Sequence, residues 1–314
     1  MRYEQAIRLR IIIDYDGTLT REEHQAELLR QRSLSLLAGD ILDVSLAELA
    51  AAYAETQRRI LQRPERHGWK VNGQIAAYCD EGAFILNTTT MQEMLAGTPA
   101  FRRRLERRFA GGPYDPVMAC VNQMFHDLTH DLPPFFREDA APALQALLDM
   151  PGVEVVVLTN SKGDKVRRAL GELGIPLLPA GERQADSRRV RILGDVRQYD
   201  MSPAWPPADA PALPAFLSAA GGRQIDLRRP VYYAALQRER SDGASLCVVA
   251  DGLSLAGSLP LALGIPFFLL KVTYTPAWVE DFVRQSATGA VLEDLLQIVE
   301  QARRLAAGEH EEAT

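Results

Sequence analysis

The stretch Ile11-Ile12-Ile13-Asp14-Tyr15-Asp16-Gly17-Thr18-Leu19-Thr20 decides how this chain folds. A β-branched apolar run reads as a strand, and it stops abruptly at two carboxylates and a glycine turn. Side chains alternate along an extended strand, so Asp14 and Asp16 are expected to point the same way as the strand ends. Two like charges on one small face repel by roughly 1 kcal/mol in water at about 4 Å, and several-fold more in a drier cleft. A cation or an acquired proton must relieve them. The chemistry open to such a pair is nucleophilic attack on phosphorus by Asp14, with Asp16 protonating the leaving oxygen and later deprotonating the attacking water. Gly17 lets the backbone turn beside a substrate, and the amides around it, including that of Thr18, are placed to bind phosphate oxygens. The bland alternative is an acidic strand-to-loop turn that binds nothing.

With 314 residues, 47% of them hydrophobic, the chain is long enough for one large core or two modest ones. Its net charge of -6 offers no general attraction for nucleic acid or an anionic membrane, so a small-molecule partner is expected. Cys79, Cys120 and Cys247 lie far apart, show no metal-type spacing, and leave one unpaired in any disulfide scheme. These cysteines, a start without a signal-peptide pattern and the lack of a membrane-length apolar run lead to the expectation of a cytoplasmic protein. The oligomeric state is not legible.

Beyond Thr20 the periodicity is helical. Leu28, Leu29, Leu34, Leu36 and Leu37 open it, followed by Leu42, Leu46, Leu49, Tyr53 and Ile60, then Met91, Met94 and Leu95, then Val117, Val121, Met124, Phe125 and Leu128. Strands are scarce there. After Pro134 the pattern changes to a helix from Ala140 to Met150, a buried strand from Val153 to Leu158 and a helix from Lys162 to Leu173. Two later apolar runs, Leu246–Ala250 and Pro266–Leu270, read as further strands. Strands alternating with helices predict an α/β fold: a Rossmann-like parallel sheet with its site at the carboxyl ends of the strands.

Between Ile175 and Arg229 lies a Pro- and Arg-rich stretch holding Arg183, Arg188, Arg189, Arg191 and Arg197, then Trp205-Pro206-Pro207 and Pro211. It is longer than ordinary connections. Two readings are open: a solvated excursion with a short strand near Val190 to Val196, or arginines that reach an anionic substrate or a partner subunit.

Three further segments carry polar residues to strand ends. Leu158-Thr159-Asn160-Ser161 sits between a strand and a helix, where a hydroxyl and fresh backbone N–H groups suit an anion, although any helix N-cap looks the same. Asp226-Leu227-Arg228-Arg229-Pro230 sets a cation just before a proline suited to a first helical turn. Val249-Ala250-Asp251-Gly252 ends another strand on a carboxylate. His126 and His130, with Asp127, have a spacing that could share a metal, but a packed or solvated helix face explains them as well.

In these segments the chain resembles the haloacid dehalogenase-like (HAD) superfamily, whose first motif reads Asp-x-Asp-Gly-Thr-Leu-Thr or close to it. The resemblance covers residues 8 to 20 and roughly 138 to 300. It implies an α/β core over residues 1–20 and 136–306, with the Pro/Arg-rich insertion at about 176–228, an inserted α-helical C1-type cap over 21–135, and a flexible tail at 307–314. It further implies that Asp14 is the nucleophile, Asp16 the acid and base, and Thr159 a phosphate ligand, with Gly17, Thr18 and Asn160 lining the substrate. The family's cation, which balances the carboxylates and clamps the transferring phosphoryl group, is usually Lys. Here Arg229 takes that position, exchanging a compact ammonium for a broad fork, while Lys162 and Lys165 compete for the role.

The family's fourth motif implies magnesium held by Asp14, the Asp16 carbonyl and Asp251, with Ser254 ordering a water. A second acid usually follows four or five positions later, and those positions here are Leu255 and Ala256. If that loss resembles losing an outer-shell partner, metal affinity falls roughly 10- to 100-fold. Dehalogenases of this group lack the acid two residues after the nucleophile, so Asp16 speaks for phosphoryl transfer. The expected function is a magnesium-dependent phosphomonoesterase acting on a small phosphorylated metabolite. The alternatives are a phosphotransferase or mutase, or a binding or regulatory protein that has lost turnover. A cap of this kind is expected to close over its substrate.

Overall fold

The computed structural model describes residues 7–112, 114–130, 132–182, 188–210, 212–241 and 243–307, apart from the side chains of His126 and His130. Arg183, Pro211, the proposed His126/His130 pair and all of the expected tail except Ala307 therefore lie outside what is described. Contacts divide the chain into two compact units: Met1–Arg21, Phe136–Leu217 and Asp226–Thr314 form the first, and Glu22–Phe135 with Ser218–Ile225 form the second.

The chain opens with β1 (Leu9–Ile13), buried at every position, and then enters the second unit. That unit holds α1 (Glu22–Leu36), α2 (Leu46–Leu61), the antiparallel hairpin β2 (Gly68–Val71) and β3 (Gln74–Tyr78), then α3 (Ala83–Gly97), α4 (Pro99–Arg108) and α5 (Pro116–His130). The apolar spacing read from the sequence is what packs these helices. Leu34, Leu49, Tyr53, Met91, Met94, Leu95, Val121 and Met124 share one buried cluster. Burying each such side chain contributes about 1.5–3 kcal/mol. One hairpin interrupts the stretch expected to be helical with few strands, and its local signal is Asn72-Gly73, which turns with both residues at positive φ.

Both ends of the insertion are pinned in the first unit, where Thr20 bridges Phe136 and the Arg137 amide donates to the Leu19 carbonyl at 3.0 Å. The chain continues through α6 (Ala140–Leu148), β4 (Val153–Leu158), α7 (Gly163–Glu172) and β5 (Arg191–Leu193). A ribbon of β6 (Phe216–Ala219) and β7 (Arg223–Asp226) follows, then α8 (Pro230–Arg240), β8 (Ser245–Ala250), α9 (Ser258–Ala262), β9 (Phe267–Leu270), α10 (Ala277–Arg284), β10 (Gly289–Leu292) and α11 (Gln297–Ala307).

Six strands form one parallel sheet in the order β10-β9-β8-β1-β4-β5, an α/β fold as the alternating pattern required. Alternate side chains from β1, β4 and β8 (Leu9, Ile11, Ile13, Val153, Val155, Val157, Cys247, Val249) join apolar residues of α6, α7 and α11 in the main core. The intervening positions of β1 and β4 place Arg10 opposite Glu154, both buried.

Those two residues belong to a buried ionic quartet. Arg10 Nε donates to Glu154 at 2.6 Å and Arg191 Nε to the same carboxylate at 3.0 Å, while both guanidiniums also meet Glu239 of α8. Arg10 also donates to the Glu239 carbonyl. Burial opposes the charge of Arg191, yet the hydrogen bonds it donates to Glu239 and the charge of Glu154 push its pKa up. The short strand expected near Val190 to Val196 is β5, but Arg191 within it is buried in this quartet and not solvated. Its partners lie 37 and 48 residues away in sequence, and pairing with β4 brings it to them. Of the other arginines in that stretch, Arg188 and Arg189 are exposed and Arg197 pairs with Asp200 at 3.7 Å. Among the described residues no helix is long and apolar enough to cross a membrane.

Candidate active site

Register in the sheet sets the site. Ile13 lies opposite Val157 of β4 on one side and Val249 of β8 on the other. Asp14 therefore leaves the central strand between two neighbours whose next polar residues, Thr159 and Asp251, each come two positions past the register partner. The Asp14 amide donates to the Val249 carbonyl at 2.9 Å, and the Thr159 amide to the Leu193 carbonyl at 3.0 Å.

Burial pushes the Asp14 carboxyl well above the ordinary carboxylate range, and the charges of Asp251 and then Asp16 push further; one hydrogen bond from the Tyr15 amide, at 2.7 Å, opposes them. Asp251 is pushed up to about 7, first by burial and also by the charge of Asp16, against the hydrogen bonds it receives. Thr18 locks this second acid in place: its Oγ1 donates to Asp251 Oδ1 at 3.1 Å and accepts from the Asp251 amide at 3.0 Å. Gly17 is required here on two counts. Its φ is +77°, and a Cβ would come within 2.1 Å of Asp251 Oδ2.

Asp16 accepts a 2.6 Å hydrogen bond from Ser161 Oγ and faces Lys165 Nζ at 3.9 Å. Ser161 follows β4 and is tethered by its own backbone: its amide donates to Thr159 Oγ1 at 3.0 Å and its carbonyl accepts from the Asp195 amide at 3.0 Å. Beside it, Gly194 packs so closely on Gly163 that a Cβ would meet the Gly163 nitrogen at 2.3 Å.

Asn160 is braced on Gln198, donating to its Oε1 at 2.9 Å and accepting from its amide at 2.7 Å. Arg229 is fully buried; its Nε donates to the Asp226 carbonyl at 2.8 Å and its Nη1 to the Gln198 carbonyl. Lys162, at the N-cap of α7, is exposed. The structure thus pairs Lys165 with Asp16, whereas Arg229 grips backbone behind Asn160. In the sequence Ser161 reads as part of a helix start, and no local pattern marks it as a partner of Asp16.

The donor set suits a hard cation. Two carboxylates, Asp14 and Asp251, and a backbone carbonyl are oxygen ligands of the kind magnesium takes, and the hydrogen bonds to the two acids and the charge of Arg137 near Asp251 offset their burial and repulsion only in part. Neither Leu255 nor Ala256 supplies another acid; the Ala256 carbonyl accepts from Tyr232 Oη at 2.7 Å. Among the described residues no group of three or more His, Cys, Asp or Glu side chains is placed to hold a metal.

No family model and no curated protein matches this sequence. Solved structures do. A Bacillus subtilis protein described as a HAD-hydrolase, YfnB, bound to magnesium, is 13% identical with a TM-score of 0.47, over 95% of this chain and 99% of that one. A predicted phosphoglycolate phosphatase from Haemophilus somnus is 15% identical with a TM-score of 0.45, over 96% and 99% of the two chains. A 2-haloacid dehalogenase from Pseudomonas syringae is 17% identical with a TM-score of 0.43, over 95% and 99%. The similarity is distant, and the site's own residues carry the functional reading.

Proposed function

We propose that this chain is a phosphohydrolase of the HAD-like type, a magnesium-dependent phosphomonoesterase acting on a small phosphorylated metabolite. The observation that carries the reading is the position of Asp14: an under-compensated carboxylate at the tip of the central strand, with Thr159 and Asp251 two residues past its register partners.

In this reading an Asp14 carboxylate oxygen attacks phosphorus as the bond from phosphorus to the ester oxygen breaks, giving an aspartyl-phosphate. The Asp16 carboxyl gives its proton to the departing oxygen, which leaves as an alcohol. Water then attacks the same phosphorus and loses a proton to Asp16, the bond to Asp14 breaks, and inorganic phosphate departs. Thr159 and the amides around Gly17 and Thr18 cradle the phosphoryl oxygens, and Asn160 lines the substrate. Arg229 supports this cradle by holding the Gln198 backbone against which Asn160 is braced. Asp14, the Asp16 carbonyl and Asp251 would hold magnesium, which when bound neutralises the acids and stabilises charge on the phosphoryl group.

Purified protein with magnesium and a panel of phosphomonoesters, beside Asp14→Asn, tests this. Turnover lost in the variant supports the reading. Turnover that survives in the variant, or never appears in the parent, removes it. The missing acid at Leu255 and Ala256 favours one rival, a phosphate-binding protein without turnover, which the same assay would reveal as phosphate affinity in an inactive parent.

A further inference from the structure

We propose that Ser161 and Lys165 are positioning residues for the general acid, forming a relay that fixes the orientation of the Asp16 carboxyl. The inference rests on Asp16 being the acid and base of the reaction described above.

Three observations converge. Ser161 Oγ donates to Asp16 Oδ2 at 2.6 Å, a charge-assisted length, so one carboxyl oxygen is held as an acceptor. Lys165 Nζ donates to Ser161 Oγ at 3.4 Å; a hydroxyl has one proton, and accepting from the ammonium aims that proton at Asp16. Asp16 Oδ1 is buried with no hydrogen-bond partner among the described residues, and the Lys165 ammonium stands 3.9 Å away.

The surroundings make the relay rigid. Lys165 is buried one helical turn past Ser161 in α7, and Ser161 is fixed through Thr159 Oγ1, the Asp195 amide and the close approach of Gly194 to Gly163. A long side chain held in a buried position loses rotamer freedom, which a merely solvated lysine keeps.

The consequence for the chemistry is specific. When the Asp16 proton passes to the ester oxygen, a carboxylate remains, and Lys165 stabilises it until the attacking water returns a proton. Asp16 also serves as base when water attacks, but kcat/KM reports the first half-reaction, where a misplaced acid matters only if the leaving oxygen needs its proton.

The test is therefore the dependence on leaving group. Ser161→Ala and Lys165→Met are compared with the parent on β-glycerophosphate, whose alkoxide leaves poorly, and on p-nitrophenyl phosphate, whose phenolate leaves without help. We expect kcat/KM to fall about tenfold or more on the alkyl ester and to change little on the aryl ester, with Lys165→Arg restoring most of the loss. Equal losses on both esters, or no loss on either, overturn the relay while leaving the phosphohydrolase reading intact. If the parent hydrolyses no ester of the panel, that reading fails, and crystal structures decide the relay alone. Asp16 should bond Ser161 in the parent and turn away in Lys165→Met; an unmoved Asp16 carboxyl overturns the proposal.

Discussion

Two groups of charged side chains occupy the same parallel sheet and are treated oppositely. In the quartet of Arg10, Glu154, Arg191 and Glu239, buried charges of each sign are matched and bridged by short hydrogen bonds. At the carboxyl ends of β1 and β8, Asp14, Asp16 and Asp251 gather with Lys165 as the cation paired to Asp16, and burial pushes Asp14 and Asp251 toward their neutral forms. Matched charge in a core is a packing solution. Unmatched charge at a strand terminus tends to destabilise a fold, and acids kept there are what the proposed magnesium site would require.

The contrast can be broken by mutation, and the largest effect is expected in catalysis. Asp14→Asn should lower kcat by more than about 10⁴-fold, read against a phosphomonoester, with no loss of thermal stability. Next, Glu154→Gln leaves Arg10 and Arg191 to share Glu239 and should destabilise the fold by about 3–5 kcal/mol in chemical denaturation. Its specific activity per folded molecule should stay at the parent value; an activity loss at full stability would show that the quartet is part of the site.

Smaller effects sharpen the same division. Asp251→Asn removes one of the repelling charges while keeping an oxygen for Thr18 to bond. It should raise the metal-free melting temperature by about 1–2 °C, since a gain near 1 kcal/mol shifts a chain longer than about 250 residues by less than a few degrees, and weaken magnesium binding by calorimetry. A fall in melting temperature would mean the acid is compensated after all. Thr18→Val breaks both bonds to Asp251 and should cost about 1–2 kcal/mol of stability.

What the sequence disclosed follows the range of the interactions. The run ending at Asp14 and the strands Val153–Leu158 and Leu246–Ala250 were legible because continuous burial writes continuous apolar residues. The helix after Arg229 was legible because Pro230 occupies its first turn. The destination of Arg191 was not, since one arginine in an Arg-rich stretch looks like any other until β5 pairs with β4. Likewise Ser161 and Lys165 meet Asp16 across about 145 positions of sequence, and no local pattern announces that contact. The hairpin at Asn72-Gly73 was encoded locally but hidden within a long helical periodicity.

The second unit is discontinuous, and this limits what can be exchanged. Ser218–Ile225 belongs with Glu22–Phe135, and the join is made by side chains: the Gln224 amide donates to Tyr78 Oη at 2.7 Å, Tyr78 Oη donates to the Gln224 carbonyl at 3.1 Å, and Arg223 pairs with Asp80 at 2.8 Å. A chimera that transplants residues 22–135 as one cassette would carry Asp80 and Tyr78 away from their counterparts. Domain shuffling in this lineage, natural or engineered, therefore has to move two separate gene segments together.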